Sequence, residues 1–265
     1  LKSETGEFDR VLGGGIVIGS VILVGGAPGI GKSTLLLQIC DQIAVQGKKT
    51  LYISGEESLQ QIKIRADRLS VHSANLKLLS ETDLEIIAAV LRNEKPDFCV
   101  IDSIQTVYTS DLESLPGNVS QVRNCGYSLS IAAKEEQIPL FFVGHVTKEG
   151  HIAGPRVLEH LVDGLLILEG DEQHAYRLLR SGKNRYGSTN EVGLFEMTDK
   201  GIVEVTQPSK YLLSKRKTGV SGATVTVSLE GTRPLLVEVQ ALVSPTSYGV
   251  PQRTTAGIEH RRLSL

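Results

Sequence analysis

The chain has no tryptophan, and aromatic residues fill only 5% of its 265 positions. That scarcity argues against a base-stacking platform made within one chain. Its three cysteines, Cys40, Cys99 and Cys125, are widely spaced and form no C-x-x-C pair. The spacing leaves no cysteine zinc site and no disulfide framework. Cys40 and Cys99 lie in apolar segments and are expected to be small core residues rather than reactive thiols. No apolar run is long enough to span a bilayer, and no secretory signal opens the chain, so no membrane partner is expected. Neither sign of charge dominates: 28 basic and 30 acidic residues leave a net charge of −2. That total neither demands nor excludes nucleic acid; a surface for it would have to be local. Leu1 in place of a methionine implies a fragment of a longer protein.

What the chain does have is 40% hydrophobic residues, enough for one large α/β domain and a little more. Residues 26–33 read Gly-Ala-Pro-Gly-Ile-Gly-Lys-Ser, the G-x-x-x-x-G-K-S pattern of a phosphate-binding loop. Val21-Ile22-Leu23-Val24 before it reads as a buried strand, and Thr34-Leu35-Leu36-Leu37-Gln38 after it reads as the start of a helix. That strand–loop–helix context separates a site from a chance glycine turn. Glycines let the backbone approach a ligand closely, and successive N–H groups form a concave nest. Lys32 supplies a compact positive charge for the β- and γ-phosphates, and Ser33 offers a hydroxyl to Mg²⁺. The candidate binding residues are Gly26, Ala27, Pro28, Gly29, Ile30, Gly31, Lys32, Ser33 and Thr34. Free thiols together with a nucleotide site suit a cytoplasmic protein.

Strands and helices alternate from there to about residue 164. Strands are expected at 49–54, 76–79, 98–102 and 140–143, and helices at 58–69, 84–91 and 120–136, with Lys95-Pro96 ending the second of these. Nearly continuous apolar strands alternating with helices imply a parallel sheet covered on both faces. After residue 164, segments 165–168, 176–180, 192–197 and 202–205 read as strands joined by short turns, an antiparallel extension of the same sheet. Residues 1–19 read as a lead-in whose Phe8, Val11 and Leu12 can pack. Pro208 and the basic stretch Lys215-Arg216-Lys217 mark a boundary, beyond which 223–229 alternates and 235–243 is rich in β-formers. About fifty residues are few for an independent domain, so this reads as the front of a larger one.

Asp102 closes an apolar strand, where an acid is out of place as core; a carboxylate there can hold the Mg²⁺ shell beside Ser33. The bland alternative is a cap for the following turn. Glu56 and Glu57 end the second strand, which is expected to lie next to the loop; Glu56 is the candidate to orient water and accept its proton. His145 follows the 140–143 strand after one glycine, placed to feel a γ-phosphate, although a structural histidine is an equal reading. Lys148 and Arg156 on the following glycine-containing segment can reach a phosphate backbone; a solvated hairpin is the alternative. Lys183 and Arg185, in Lys183-Asn184-Arg185-Tyr186-Gly187, are either an exposed basic turn or, in a ring, arginine-finger groups for a neighbour's γ-phosphate.

The segment Thr5–Gly15, the loop 26–33, Ser54-Gly-Glu-Glu-Ser, Asp102-Ser-Ile-Gln-Thr, Gly144-His-Val-Thr-Lys and Lys183-Asn-Arg-Tyr-Gly occur in this order. Together they resemble the bacterial RadA (Sms) family of RecA-related DNA repair and recombination ATPases, over essentially the whole chain. The resemblance implies a RecA-like phosphate-loop ATPase core with a mostly parallel central sheet (1–210), then a linker and the truncated start of a Lon-protease-like α/β domain (211–265). It implies ATP and Mg²⁺ as cofactors and a homo-oligomer, a hexameric ring like that of replicative helicases. It also implies DNA-stimulated ATP hydrolysis, binding of single-stranded DNA and recombination intermediates with branch migration, and a RecA-type recombinase as a possible partner. Lys32, Glu56, His145, Lys183 and Arg185 are then the catalytic set, Ser33 and Asp102 the metal set, and Lys148 and Arg156 the DNA contacts. Residues 110–120 and 146–157 match the family's two channel loops. Tyr186 stands where the family usually has Phe, and the family's N-terminal four-cysteine zinc element is missing.

Overall fold

In the computed structural model, residues 1–144, 157–170, 176–213, 219, 221–245, 249, 252–258 and 260–263 are described below. Apolar strands and amphipathic helices alternate as the pattern predicts. Helix α1 spans Gly6–Val11, and strand β1 (Val21–Gly26) leads into helix α2 (Lys32–Val45). Then come β2 (Thr50–Ser54), α3 (Leu59–Arg68), β3 (Leu76–Ser80), α4 (Leu84–Glu94) and β4 (Phe98–Asp102), followed by a short 3-10 turn at Ile104–Thr106. α5 (Val119–Glu135), β5 (Leu140–Val143) and α6 (Val157–Leu161) complete the alternating part. Helix starts carry their own signals. The Ser58 hydroxyl caps α3 in a reciprocal box with Gln61. Asp83 accepts from the Glu85 and Ile86 amides at the start of α4, and Asn118 caps α5. Lys95 takes a left-handed conformation as α4 ends, one residue before Pro96 removes a donor.

The strands form one nine-stranded sheet in the order β3-β2-β4-β5-β1-β6-β7-β8-β9, where β6 is Gly164–Glu169, β7 Tyr176–Asn184, β8 Val192–Thr198 and β9 Gly201–Glu204. From β3 through β6 every pairing is parallel; β6–β7, β7–β8 and β8–β9 are antiparallel. The expected extension therefore exists, with β6 itself the last parallel strand. β1, β2, β4 and β5 are buried along their entire length, whereas edge strand β3 is only partly covered. The strand alternation splits the core. Ile22, Val24, Phe141 and Val143 face one layer with Phe8, Leu36 and Ile43; Val21, Leu23, Leu140 and Phe142 face the other with Ile87, Val122 and Leu129. Phe141 sits between Phe8 and Phe98, at centroid distances of 6.0 and 5.1 Å.

Two features differ from the sequence expectation. The lead-in contains helix α1, whose Phe8 and Val11 are fully buried against the sheet; six residues are too few for a periodic signal. The second strand does not lie next to the loop strand, because β4 and β5 stand between β2 and β1. Strand order is set by which apolar faces the crossover helices cover, and no local pattern encodes it. Beyond α7 (Pro208–Leu213), β10 (Ala223–Glu230) and β11 (Arg233–Gln240) form a separate antiparallel hairpin. It meets the larger unit through a backbone bond from the Thr232 amide to the Asn190 carbonyl (3.0 Å) and ion pairs of Glu230 with Arg180 of β7 and of Arg233 with Glu7 of α1.

All three cysteines are free and buried. Burial pushes the thiols of Cys40 and Cys99 up, and that of Cys125 up to about 11, so no reactive thiolate is populated near neutrality. In the folded protein a thiol-reactive disulfide reagent at pH 8 should label none of them on the minute timescale. Three equivalents should react after guanidinium unfolding; rapid native labelling of any one would contradict this packing.

Candidate nucleotide-binding site

The loop is shaped by contacts that only small residues allow. Gly26 ends β1 at φ +156°, and a Cβ there would lie 2.6 Å from the Leu168 carbonyl oxygen. Gly31 is left-handed at φ +115° and N-caps α2; a Cβ would meet Met197 Cε at 2.6 Å and Ile202 Cδ1 at 2.7 Å. The backbone therefore passes where no other residue fits. Ala27, Pro28 and Gly29 are exposed at the tip, while Lys32 is 4% exposed. The Lys32 ammonium donates to the carbonyls of Gly26 (2.8 Å) and Ala27 (3.0 Å), closing the loop on itself. Burial pulls its pKa below the usual lysine value, against the opposing pull of Asp102 and then Glu56. A partly desolvated cation, a tight glycine bend and the first turn of a fourteen-residue helix converge on one concavity. These residues fit a polyphosphate.

The carboxylates are set by strand register. Ser54 and Asp102 are register partners at the carboxyl ends of β2 and β4, the same sheet end at which β1 gives way to the loop. Asp102 is buried and accepts a short hydrogen bond from the Tyr52 hydroxyl. Burial, reinforced by Asp102, pushes the Tyr52 pKa well up, so the phenol stays a donor. Just past β2 the two glutamates separate. Glu57 pairs with Arg65 of α3. Glu56 accepts from the Ser103 hydroxyl at 2.6 Å, beside Asp102, and lies within electrostatic reach of Lys32. Among the described residues, no group of three His, Cys, Asp or Glu side chains could hold a metal ion alone. A hydroxyl at Ser33 and a single carboxylate at Asp102 suit Mg²⁺, which takes one or two protein oxygens and fills its shell with phosphates and water.

Lys183 and Arg185 lie elsewhere. Arg185 pairs with Asp163 at 2.7 Å, and Lys183 donates to the carbonyls of Glu159 (2.6 Å) and Val162 (2.7 Å) at the end of α6. Burial first, then Arg185, lowers the Lys183 pKa. Asp163 is 1% exposed and accepts from the Val21 amide (3.0 Å) and from Lys134 (3.2 Å). Val21 is the first residue of β1 and Gly26 the last. At roughly 3.3 Å per residue, about 16 Å of strand separates this cluster from the loop. The structure thus brings Lys32, Ser33, Glu56 and Asp102 to one end of the sheet and puts Lys183 and Arg185 at the other. His145, Lys148 and Arg156 lie outside the described residues. Sequence reasoning missed Asp163, Tyr52 and Ser103, because only tertiary pairing gives them charged partners.

A family model described as an AAA domain matches residues 1–151. The chain belongs to the AAA domain family. Within it, the chain is 57% identical to the DNA repair protein RadA of Bacillus subtilis (strain 168) and 59% identical to that of Listeria monocytogenes, in each case over all of this chain and 58% of the relative. It is 52% identical to the Streptococcus pneumoniae protein of the same name, over 63% of that relative. The chain therefore spans less than two thirds of the length of these relatives. Among solved structures, a RadB recombinase superposes with a TM-score of 0.59 at 22% identity, covering 77% of this chain and 99% of that one. The fold is α/β and RecA-like. No helix among the described residues is long and apolar enough to cross a membrane.

Asp163→Ala strips the Val21 amide and two cations of their shared acceptor. It should lower unfolding free energy in a urea titration by about 3 kcal/mol, since bonds to buried charge are worth about 1.5–3 kcal/mol each and cations left half-exposed are rehydrated. Arg185→Ala, losing a pair at a half-exposed guanidinium, should cost no more than about 1 kcal/mol. Equal effects would contradict the placement of Asp163 at the hub.

Proposed function

We propose that this chain is a DNA-dependent ATPase of the RadA type, acting in DNA repair and homologous recombination, whose active site is completed by two adjoining copies. The observation that carries this reading is the position of the turn Lys183–Gly187 at the sheet end opposite the chain's own loop. Cations so placed serve a triphosphate only if it sits on a neighbour. A homo-oligomeric ring, hexameric by resemblance to the family, repeats that arrangement at every boundary.

Each residue then has one task. The amides of residues 26–34 and the Lys32 ammonium cradle the β- and γ-phosphates of ATP. Ser33 and Asp102 hold Mg²⁺, which when bound neutralises charge on the transferred phosphoryl group. Glu56, steadied by Ser103, orients water and accepts its proton. Lys183 and Arg185 of the next copy offset the charge that develops as the phosphoryl bond breaks. His145 couples loss of the γ-phosphate to the segment that follows it, and Lys148 and Arg156 there grip the phosphate backbone of single-stranded DNA, driving branch migration. Residues 1–210 form the motor unit, and 211–265 begin a second, Lon-protease-like unit; the protein works in the cytoplasm and engages recombination intermediates.

Single-stranded DNA should raise ATP turnover several-fold, and Lys148→Ala or Arg156→Ala should reduce that stimulation while leaving basal hydrolysis mostly intact. Turnover indifferent to DNA, with assembly preserved, would favour an ATP-gated scaffold on DNA instead. Arg185→Ala and Glu56→Gln proteins should each be weak alone, whereas mixtures should recover activity at boundaries pairing an intact Glu56 with an intact Arg185. No recovery in any mixture that assembles would overturn the shared site.

A further inference from the structure

Arg177 is the only arginine of β7 whose side chain runs into the protein rather than along its surface: it is 9% exposed, whereas its strand neighbour Arg180 pairs with Glu169 and Glu230 at the rim. Its Nε donates to the carbonyl oxygen of Ile30 at 3.2 Å, and one terminal nitrogen donates to the carbonyl of Tyr176 at 2.8 Å. The stem crosses Gly170 so closely that a Cβ there would lie 2.5 Å from Arg177 Cδ. Strand β7 thus reaches under the phosphate loop and takes hold of one backbone atom of it.

Which atom it holds decides the consequence. The Ile30 carbonyl and the Gly31 amide belong to one peptide unit. A trans peptide is planar, with its C=O and N–H pointing in opposite directions, and this one is trans. A carbonyl turned toward β7 therefore turns the Gly31 N–H away from β7. Gly31 has no Cβ to fix its own torsions, and glycine amides flip readily unless something outside the residue holds the plane. Met197 and Ile202 occupy the space where a Gly31 Cβ would stand but supply no polar anchor.

We propose that Arg177 is a positioning residue for the phosphate loop: by holding the Ile30 carbonyl, it aims the Gly31 amide at the phosphates of a bound nucleoside di- or triphosphate. The inference rests on the nucleotide reading of the loop. It makes the antiparallel extension part of the nucleotide site rather than a passive edge.

The test is affinity of the full chain for a fluorescent ADP with Mg²⁺, alongside melting temperature without nucleotide. Arg177→Met keeps most of the stem and loses the donor. It should weaken binding about tenfold or more, the worth of one hydrogen bond from a charged donor, with little change in the nucleotide-free melting temperature. Arg177→Lys, which keeps a charged donor, should recover a substantial part of that loss. A merely structural arginine would show the reverse, a lower melting temperature and affinity unchanged in the folded fraction. If Arg177→Met does not fold, Gly170→Ala displaces the guanidinium without removing a charge and should weaken binding in the same direction. Wild-type affinity in folded Arg177→Met, no gain on going to lysine, or wild-type affinity in Gly170→Ala where Met fails to fold, overturns the inference. Lys32→Ala separates the two levels: if it loses ADP while Arg177→Met does not, only the role of Arg177 falls; if it too binds normally, the nucleotide reading falls with it.

Discussion

The seating of β1 between β5 and β6 is the constraint on which the rest depends. Both neighbours run parallel to it, so its two ends differ chemically. At the carboxyl end lie the glycine loop and the N-terminus of α2, beside the carboxylates brought there by β2 and β4. At the amino end, the Val21 amide is consumed by Asp163, which collects Lys134 and Arg185. One strand thus separates the glycine-loop end of the sheet from the end that carries Lys134, Lys183 and Arg185, across a core that does not flex easily. A pair of like-oriented molecules can bring the second end of one to the first end of the other. A single chain cannot.

The antiparallel strands have two jobs within that frame. Their turn-proximal end, at Lys183 and Arg185, sits against the amino end of β1 and the end of α6. Their opposite end backs the phosphate loop through Arg177, Met197 and Ile202. A hairpin pairing along β6 spans the whole sheet height, so it touches both ends. Movement of one can be transmitted to the other along a rigid ladder of backbone hydrogen bonds.

Much of this was legible in the residues. The loop pattern, its strand–helix context, the alternation of apolar strands with helices, and the acid ending β4 are all local signals, and each element lies within a few residues of its expected position. Glu56 and Glu57, adjacent just past β2, part company only in the fold, where one meets Ser103 and the other Arg65. What stayed hidden is whatever requires non-local pairing. The position of β2, separated from β1 by two strands rather than beside it, follows from crossover packing. α1 is too short for periodicity. Asp163 reads as an ordinary loop acid until Val21 and Arg185 arrive from 142 and 22 residues away. Arg177 carries no local signal of its contact with the Ile30 carbonyl, 147 residues away. Neighbours that meet only in the folded state leave no trace in a window of sequence.

Division of the catalytic groups between two copies of the chain is the central claim, and concentration is its most direct probe. Hydrolysis per chain, measured with saturating Mg²⁺-ATP across several decades of protein concentration and alongside sedimentation of the same samples, should be near zero for the monomer. It should rise steeply over the range in which larger species form and level off once assembly is complete. A constant rate per chain, extending down to concentrations at which only monomer sediments, would mean that one copy holds a complete site, and the account would fail.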